Sequence, residues 1–433
     1  RNLGVLFGAS AALSVTPLAK LVAGGGRVRA QSRRGFGALA PQLPTNMESL
    51  PAERQNIAYI ALPAAFEYKV VSYAGQIMAD GEPLPGAPDG MATFALGRGR
   101  IALVRNHELT TSGTPVRVPE ATYDAQVLGG TTNLVVNNEG TLIEQYGSLA
   151  GTERNCAGGP TPWGSWLTCE ETTNIHNGVR HGYVFEVPAT GKGDAVPRVG
   201  LGRFSHEAAA VDPATGIVYL TEDRGDSLFY RFVPAAYGDL TSPGKLQALR
   251  LVDFEGSANT VSGMLELLNQ PLAATWIDID DFDPEGDTVR AEGQSKGAAR
   301  FSRGEGCWYG NERVYFVCSD GGNARAGQVF AYDPVAEALT LVVESTDRAV
   351  LDAPDNLTVH PDGRLYLCED GGDSDNIVRV EHDGSTSIFA KNNWSDSEWA
   401  GACFSPQGHI LFVNMQADGL TLAIRGPFRR AAR

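Results

Sequence analysis

Apolar residues recur along this chain in short paired runs, and each pair is joined by a turn rich in Gly, Pro, Asp or Asn. Five pairs share one plan, in which a polar start leads into an apolar strand, a turn, a second apolar strand and an acidic or amide end. They read NCAGGPTPWGSWLTCEE, HEAAAVDPATGIVYLTED, GEGCWYGNERVYFVCSDGG, PDNLTVHPDGRLYLCEDGG and EWAGACFSPQGHILFVNMQADG. A weaker sixth copy, DGMATFALGRGRIALVRNHE, comes earlier in the chain. The pattern predicts six β-hairpin units.

The spacing of the copies predicts how these units are arranged. The first residue and the strand-end residue are 15 or 16 residues apart in Cys156–Glu171, Glu207–Asp223, Glu305–Asp320, Asp355–Asp370 and Glu398–Asn414. Successive copies start 43 to 51 residues apart, except for one interval of 98 that contains an acidic, turn-rich stretch near 234–297. Repeats of about 40–50 residues are typical of β-propellers. We predict an all-β, six-bladed β-propeller with inserted loops; a tandem of β-sandwiches does not predict equal spacing.

The first residues have the character of an export signal. RNLGVLFGASAALSVTPLAKLVAGG combines an Arg with an apolar run that is broken by Pro17 and Lys20, which makes it a poor membrane span. The start, Arg1–Leu3, is similar to the end of a twin-arginine motif. We predict that residues 1–32 are a Tat-type signal segment truncated at its start. Residues 33–433 then form a single catalytic propeller domain with an insertion near 234–297, and an ordinary hydrophobic helix is the alternative for the first segment.

The charge of the chain limits its partners. Lys and Arg number 35 against 51 Asp and Glu, which gives a formal net charge of −16. So acidic a chain offers no basic stripe for neutralising phosphates, and we expect no nucleic-acid polymer as a partner. Beyond the first segment no apolar stretch is long enough to span a bilayer. Hydrophobic residues make up 42% of the chain, enough for a large packed core.

The predicted propeller would gather acidic side chains at one rim. Its innermost strands line a central channel, so the first residues of successive copies should meet there. The expected ring contains Cys156, Glu207, Glu305, Asp355 and Glu398. At the neighbouring strand ends we expect Glu171, Asp223, Asp320 and either Glu369 or Asp370. Crowded carboxylates raise one another's pKa, and bound cations relieve the repulsion. Carboxylate and amide oxygens suit calcium, whereas a thiolate suits a transition metal such as iron. The alternative is that these residues only keep sheet edges soluble.

Further candidates lie beside the ring. Arg303 comes two residues before Glu305, and strand alternation would put both on one face. It could clamp an anion or serve as a structural partner of a channel carboxylate. In the segment RNHE, Asn106 and Glu108 share a face and offer oxygen ligands. The sequence contains no GxSxG elbow, P-loop, HExxH or CxxC pattern.

Together these segments resemble the PhoX family of secreted bacterial alkaline phosphatases. The resemblance runs from residue 60 to 419 and rests on RNHE, NCAGGPTPWGSWLTCEE, SHEAAAVDPATGIVYLTED, RGEGCWYG, PDNL and EWAGACFSPQG. It implies a Tat-exported enzyme, periplasmic or extracellular, that releases inorganic phosphate from small phosphomonoesters. It also implies an iron (Fe³⁺) and calcium centre in the channel. We expect a monomer without stable membrane insertion after signal removal. The chain is shorter than the large members, which leaves its substrate range open.

The resemblance also implies individual residue roles. Cys156 would bind iron together with Glu207 and Glu305, and Glu305 would bridge metals. Glu171 would bind calcium and Arg303 would contact phosphate. Asp223 and Asp355 fit the remaining calcium positions. Asn106 and Glu369 are further predicted metal ligands, which we extrapolate from the geometry of the ring and not from the resemblance.

Two other functions stay open. One is a calcium-dependent propeller hydrolase of another class, a lactonase or a phytase-like enzyme, in which Cys156 would bind no iron. The other is a non-catalytic exported propeller whose calcium rigidifies the channel. Iron together with calcium would favour the phosphatase, and calcium alone would favour an alternative.

Overall fold

A computed structural model of the chain describes residues 35–254, 258–372 and 375–429. The predicted signal segment, 1–32, lies outside the described residues. Within the described ranges, the chain is built almost entirely from β-strands joined by turns and short 3-10 helices. None of the helices in these ranges is long and apolar enough to cross a membrane.

The strands and helices have the following bounds. The first half contains β1 (Leu39–Gln42), β2 (Ile60–Pro63), β3 (Glu67–Tyr73), β4 (Pro88–Gly97), β5 (Arg100–His107), β6 (Gly129–Asn137), β7 (Leu142–Thr152), β8 (Asn155–Pro160), β9 (Ser165–Glu170), β10 (Ile175–His176), β11 (Val179–Arg180), β12 (Val184–Pro188), β13 (His206–Val211) and β14 (Val218–Glu222). The second half contains β15 (Tyr230–Pro234), β16 (Gly244–Leu251), β17 (Pro271–Asp278), α1 (Val289–Ser295), β18 (Gly304–Gly310), β19 (Arg313–Cys318), β20 (Gln328–Asp333), β21 (Ala338–Glu344), β22 (Pro354–Val359), β23 (Leu365–Glu369), β24 (Asn376–Val380), β25 (Thr386–Asn392), β26 (Trp399–Phe404), β27 (Ile410–Met415) and β28 (Leu420–Arg425). The 3-10 helices are Met47–Ser49, Ala52–Arg54, Pro119–Ala121, Val199–Leu201, Thr260–Ser262 and Leu265–Leu267.

Six inner strands follow one another around a closed ring. They are β4, β8, β13, β18, β22 and β26, and β26 again contacts β4. Each pairs antiparallel with the next strand of the chain, so every predicted hairpin forms. The two ends of the fold are joined because β3 pairs with β28. The predicted all-β, propeller-like arrangement is therefore confirmed.

The hydrogen-bonded sheets are not six separate four-stranded blades, which is where the structure departs from the prediction. Sheets of four strands are β4–β7 and β26–β27–β28–β3, whereas β8, β9 and β12 make a sheet of three. Strands β2 and β1 extend the sheet of β22–β25 to six strands. The stretch 234–297 contributes β16 and β17, and β17 pairs with β21, which joins two units into one nine-stranded sheet. The repeat spacing locates hairpins, but it cannot reveal which outer edges pair.

Small residues let the inner strands lie close together. A Cβ on Gly159 of β8 would sit 1.9 Å from the carbonyl oxygen of Ala209 on β13, so only glycine fits there. Farther out, large side chains fill the space between sheets. Phe316 stacks on Phe229 at 4.2 Å and on Phe330 at 5.2 Å between ring centroids, and all three are buried. This tapered packing holds the inner strands, and the residues they carry, in fixed positions.

Candidate metal centre and active site

Every inner strand carries a β-bulge near its start. One extra residue interrupts the pairing of these strands with their partners, after one paired residue in β4, β8, β13, β18 and β22 and after two in β26. A bulge re-aims side chains that regular alternation would direct elsewhere. The first residues of the six bulges are Asp89, Cys156, Glu207, Glu305, Asp355 and Gly401. At Gly401 a Cβ would lie 2.2 Å from the carbonyl oxygen of Asp89, so this bulge carries no side chain.

The five remaining bulge side chains, which we call the bulge ring, are close neighbours. Together with two strand-end carboxylates they form three groups whose potential ligand atoms lie within 4.8 Å of one another. The groups are Asp89–Glu108–Cys156, Cys156–Glu171–Glu207 and Glu207–Glu305–Asp355. The structure thus brings together most of the predicted ligands at one place.

Glu207 is the central member of the bulge ring and has no hydrogen-bond partner. It is fully buried, and neither carboxylate oxygen accepts a hydrogen bond from any residue that the structure describes. Oδ1 of Asp89 is equally buried and unpartnered within the described chain. Buried polar atoms normally find partners, because leaving them unpaired is costly. The orphaned oxygens therefore fit a site that a cation completes.

Burial and mutual repulsion shift the whole bulge ring towards its protonated forms. Burial, followed by the charges of Glu305 and Glu171, raises the pKa of Glu207 well above its usual value. Burial raises the pKa of Glu171 to about 9 against the opposing charge of Arg154. Burial and then the charge of Asp223 raise the pKa of Glu305 to about 7. Cations would replace these protons, since metal ligands must be deprotonated.

The thiol of Cys156 belongs to the same electrostatic group. Its Sγ lies 3.7 Å from Oδ2 of Asp89. Burial, followed by the charges of Asp89 and Glu207, raises the pKa of the thiol well above its ordinary value. Cysteine nucleophiles and metal ligands act as thiolates. This environment disfavours a free thiolate nucleophile and suits a sulfur whose charge a metal would balance.

Arg303 lies beside the bulge ring, but strand alternation does not put it there. It precedes β18 with a φ of 51°, in the left-handed region that non-glycine residues seldom adopt. Its Nε and Nη2 donate to the two carboxylate oxygens of Asp223 at 2.9 and 3.1 Å. Its Nη2 also lies 3.1 Å from Oε1 of Glu305. The predicted residue Asp223 is therefore held by an arginine at the edge of the ring.

Asn106, a predicted oxygen ligand, is committed to other contacts. Its Nδ2 donates to the carbonyl oxygens of Cys156 and Ala157 at 3.0 and 2.8 Å. Its Oδ1 accepts a hydrogen bond from the indole of Trp166 at 2.8 Å. The amide nitrogen thus holds the bulge of β8 and the amide oxygen binds β9, so the side chain positions Cys156 instead of joining the carboxylates.

Glu369, the other ligand extrapolated from the ring, caps a turn. Its carboxylate accepts the backbone N–H of Asp352 at 2.9 Å and both the backbone and side-chain N–H groups of Asn376 at 3.0 and 2.7 Å. By pairing register its equivalents are Glu170 and Glu222. The residue equivalent to Glu171 is Asp370, which follows Glu369. Because a shift of one residue reverses the face of a strand, Glu369 does not occupy the position that Glu171 has beside the ring.

Sequence reasoning missed Asp89 as a member of the ring. Its copy has longer strands, so Asp89 and Glu108 are not separated by the 15 or 16 residues that the other copies share. Gln416 ties these two carboxylates together, because its Nε2 donates to Asp89 at 2.7 Å and to Glu108 at 2.8 Å. The signal that could have identified Asp89 is that the weaker sixth copy also begins with an acidic residue.

Comparisons with known proteins agree with the fold. The family model described as "Alkaline phosphatase PhoX" matches residues 45–144 and 140–419. The structure of Pseudomonas fluorescens PhoX in complex with vanadate, a transition state analogue, has a TM-score of 0.67 and 18% identity, and the match covers 91% of this chain and 98% of that chain. A gluconolactonase from Xanthomonas campestris has a TM-score of 0.46 and 13% identity, over 92% and 100% of the two chains. Comparison with curated protein sequences gives no match.

Proposed function

The chain belongs to the alkaline phosphatase PhoX family, and we propose that it is a metal-dependent phosphomonoesterase that releases inorganic phosphate. The observation that carries this proposal is the bulge ring, in which a buried thiol and four carboxylates converge with both oxygens of Glu207 unpartnered among the described residues. The family match spans every member of this ring. Small phosphomonoesters are the proposed substrates.

The donor set supports an iron and calcium centre. Cys156, Glu171 and Glu207 combine sulfur with carboxylates, which suits iron. The group of Glu207, Glu305 and Asp355 offers oxygens alone, which suits calcium. Glu207 belongs to both groups and is well situated to bridge two ions. Family resemblance implies a bridging role for Glu305 as well, so both glutamates would serve as shared ligands.

The residues around the ring would orient and stabilise a phosphate. When bound, the cations would neutralise the charge of the phosphate dianion and so favour in-line attack at phosphorus. Arg303 would donate to the equatorial oxygens and stabilise their charge. Ser319 donates to Oε1 of Glu305 at 2.8 Å, which fixes that carboxylate. No protein nucleophile is required in this scheme.

The proposal extends to the architecture and the location of the protein. The closed ring of six inner strands, each with its own bulge, supports a six-bladed propeller in which β17 joins two blades. We propose that 33–433 is one catalytic domain and that 1–32 directs Tat export to the periplasm or the exterior. We further propose that the protein acts as a monomer.

The deciding experiment is metal analysis combined with a phosphatase assay. The purified protein should contain iron and calcium and should hydrolyse p-nitrophenyl phosphate, and a chelator should abolish this activity until the metals are restored. Calcium without iron, together with no release of phosphate, would overturn the proposal and favour another class of propeller hydrolase or a non-catalytic role.

A further inference from the structure

We infer that Arg154 is a second phosphate-binding arginine that acts together with Arg303. This inference rests on the proposed function and concerns the same site. It starts from a likeness between the two residues that the fold makes visible. Arg154 immediately precedes β8 and Arg303 immediately precedes β18, so each lies two residues before a bulge residue, Cys156 or Glu305. Their φ angles are 50° and 51°.

The backbone at this position does not demand an arginine. Ala87 and Ala353 occupy the same place before β4 and β22 with φ angles of 45° and 43°. The left-handed turn into the bulge is therefore a property of the fold, and alanine satisfies it. The presence of arginine at two of these positions must therefore be explained by what the arginine side chains bind.

The two guanidinium groups are held in the same way. Nε of Arg154 donates to Oε1 of Glu108 at 3.1 Å, and its Nη2 donates to Oε2 of Glu171 at 2.6 Å. Arg303 likewise donates through Nε and Nη2 to the carboxylate of Asp223, and its Nη2 also contacts Glu305. Within the described residues, the hydrogen bonds of both arginines use Nε and Nη2, and none uses Nη1. The side chains are 42% and 43% exposed, so both free edges can meet a ligand from solution.

The two arginines flank the centre of the bulge ring. Their strands, β8 and β18, contact β13 from opposite sides, and β13 carries Glu207. Arg154 contacts Glu171, and Arg303 contacts Glu305. Both of these glutamates have oxygens within 4.8 Å of a Glu207 oxygen. A single carboxylate thus separates each guanidinium from Glu207: Glu171 on the side of Arg154, and Glu305 on the side of Arg303.

This arrangement suits a tetrahedral dianion. A phosphate seated on the ring would turn some oxygens towards the cations and leave others towards the arginines. Guanidinium groups bind such oxygens with directed, charge-assisted hydrogen bonds. Two arginines would hold separate oxygens and fix the rotation of the phosphoryl group, which one arginine cannot do. They would also offset the negative field that the surrounding carboxylates present to an incoming anion.

The test is phosphate binding to the metal-loaded protein, measured by equilibrium dialysis with radiolabelled inorganic phosphate. Arg154→Gln should raise the dissociation constant about tenfold to a hundredfold, the usual worth of a hydrogen bond to a charged group. Arg154→Lys should fall between this variant and the wild type, because it keeps the charge but loses the planar donor pair. Iron and calcium contents should not change. Arg117→Gln is the control, since Arg117 makes an exposed ion pair with Glu82 at 3.5 Å, and it should bind phosphate as the wild type does.

Two results would overturn the inference. Unchanged phosphate affinity in Arg154→Gln would remove Arg154 from the phosphate site. Loss of metals in parallel with phosphate affinity, in both Arg154 variants, would make Arg154 a structural partner of Glu108 and Glu171 instead. If the glutamine variant does not fold, the lysine variant decides between these outcomes. Failure of the proposed function is distinct, because the wild type itself would then neither hydrolyse p-nitrophenyl phosphate nor bind phosphate.

Discussion

Two buried regions of this protein hold side chains of the kinds that bind metals, and they differ in whether their polar atoms have partners. One is the bulge ring. The other, which we call the histidine cluster, consists of Asp124, Glu153, Glu170, His176 and His181. Ligand atoms of Glu153, His176 and His181 lie within 4.8 Å of one another, as tightly grouped as those of the ring.

In the histidine cluster the side chains satisfy one another. The two ring nitrogens of His181 lie 2.6 Å from Glu170 and 3.3 Å from Asp124. The carboxylate of Glu153 accepts from Asn174 at 3.1 Å and lies 3.0 Å from Nε2 of His176. Burial lowers the pKa of His181, but the hydrogen bond to Glu170 and the other carboxylates outweigh this and raise it. The raised pKa favours the imidazolium form of His181, whose positive charge would offset the charge of these carboxylates.

The comparison indicates that unpartnered oxygen atoms, and not residue type and proximity alone, distinguish the proposed metal centre from the histidine cluster. The ring and the cluster each contain ligand atoms within 4.8 Å of one another, and most of the side chains in each are buried. Only the ring leaves carboxylate oxygens without partners, and only there do neighbouring acids crowd together with too few cationic side chains to balance them. The following predictions test this difference, in order of their expected effect on catalysis.

Metal removal should have the largest effect. A chelator should abolish hydrolysis, and the melting temperature of the metal-free protein should then fall as the pH rises from 5 to 9. The folded protein holds protons on Glu305, with a pKa of about 7, and on Glu171, with a pKa of about 9, whereas the unfolded chain has already lost them near pH 5. Stability is thus highest below the unfolded pKa and declines through the folded values. Thermal unfolding at pH 5, 7 and 9 should show this decline without metals and a flat profile with them; equal profiles would contradict it.

Glu207→Gln should lower hydrolysis of p-nitrophenyl phosphate by more than about a hundredfold, because the shared carboxylate at the centre of the ring is lost. Iron and calcium contents should both fall. The matched variant is Glu170→Gln in the histidine cluster, which should keep both metals while losing stability. A Glu207→Gln protein with full metal content and activity would remove the ring from the site.

Cys156→Ala should reduce activity less, by about tenfold to a hundredfold, and should remove iron before calcium, since the oxygen-only group of Glu207, Glu305 and Asp355 stays intact. Elemental analysis at a series of chelator concentrations would measure the order of loss. Cys169→Ala is a suitable control because this buried cysteine lies outside the three ligand groups. Simultaneous loss of both metals would show that the ions do not depend on different donors.

His181→Gln should have the smallest effect on catalysis, within about twofold, but should destabilise the protein by about 3 kcal/mol because it leaves buried carboxylates without their cation. The raised pKa means that His181 contributes stability in full below its usual pKa and loses it as the pH rises through the raised value. The cost should therefore be greater at pH 6 than at pH 9. Denaturant unfolding at the two pH values measures it, and loss of metal from this variant would erase the distinction between the two regions.

The sequence by itself determined the hairpins and their spacing, and this spacing predicts a propeller-like arrangement. Local patterns suffice for the hairpins, because alternation and turn chemistry act over a few residues. The same patterns identified Cys156, Glu207 and Glu305 as the first residues of repeated strands, and these residues do converge. The pairing of β8 with β9 explains why Glu171 joins them.

Only the tertiary structure decided which side chains face the ring. One extra residue in each inner strand turns Glu305 inward, and a shift of one position separates Glu369 from Asp370. Contacts between distant segments also decide two other residues. The amide of Asn106 donates to the backbone of Cys156, and the carboxylate of Asp223 accepts a hydrogen bond from Arg303. These outcomes depend on strand parity and on hydrogen bonds across large sequence separations. A repeat pattern carries no information about either, because it specifies where strands occur and not how each meets its neighbours.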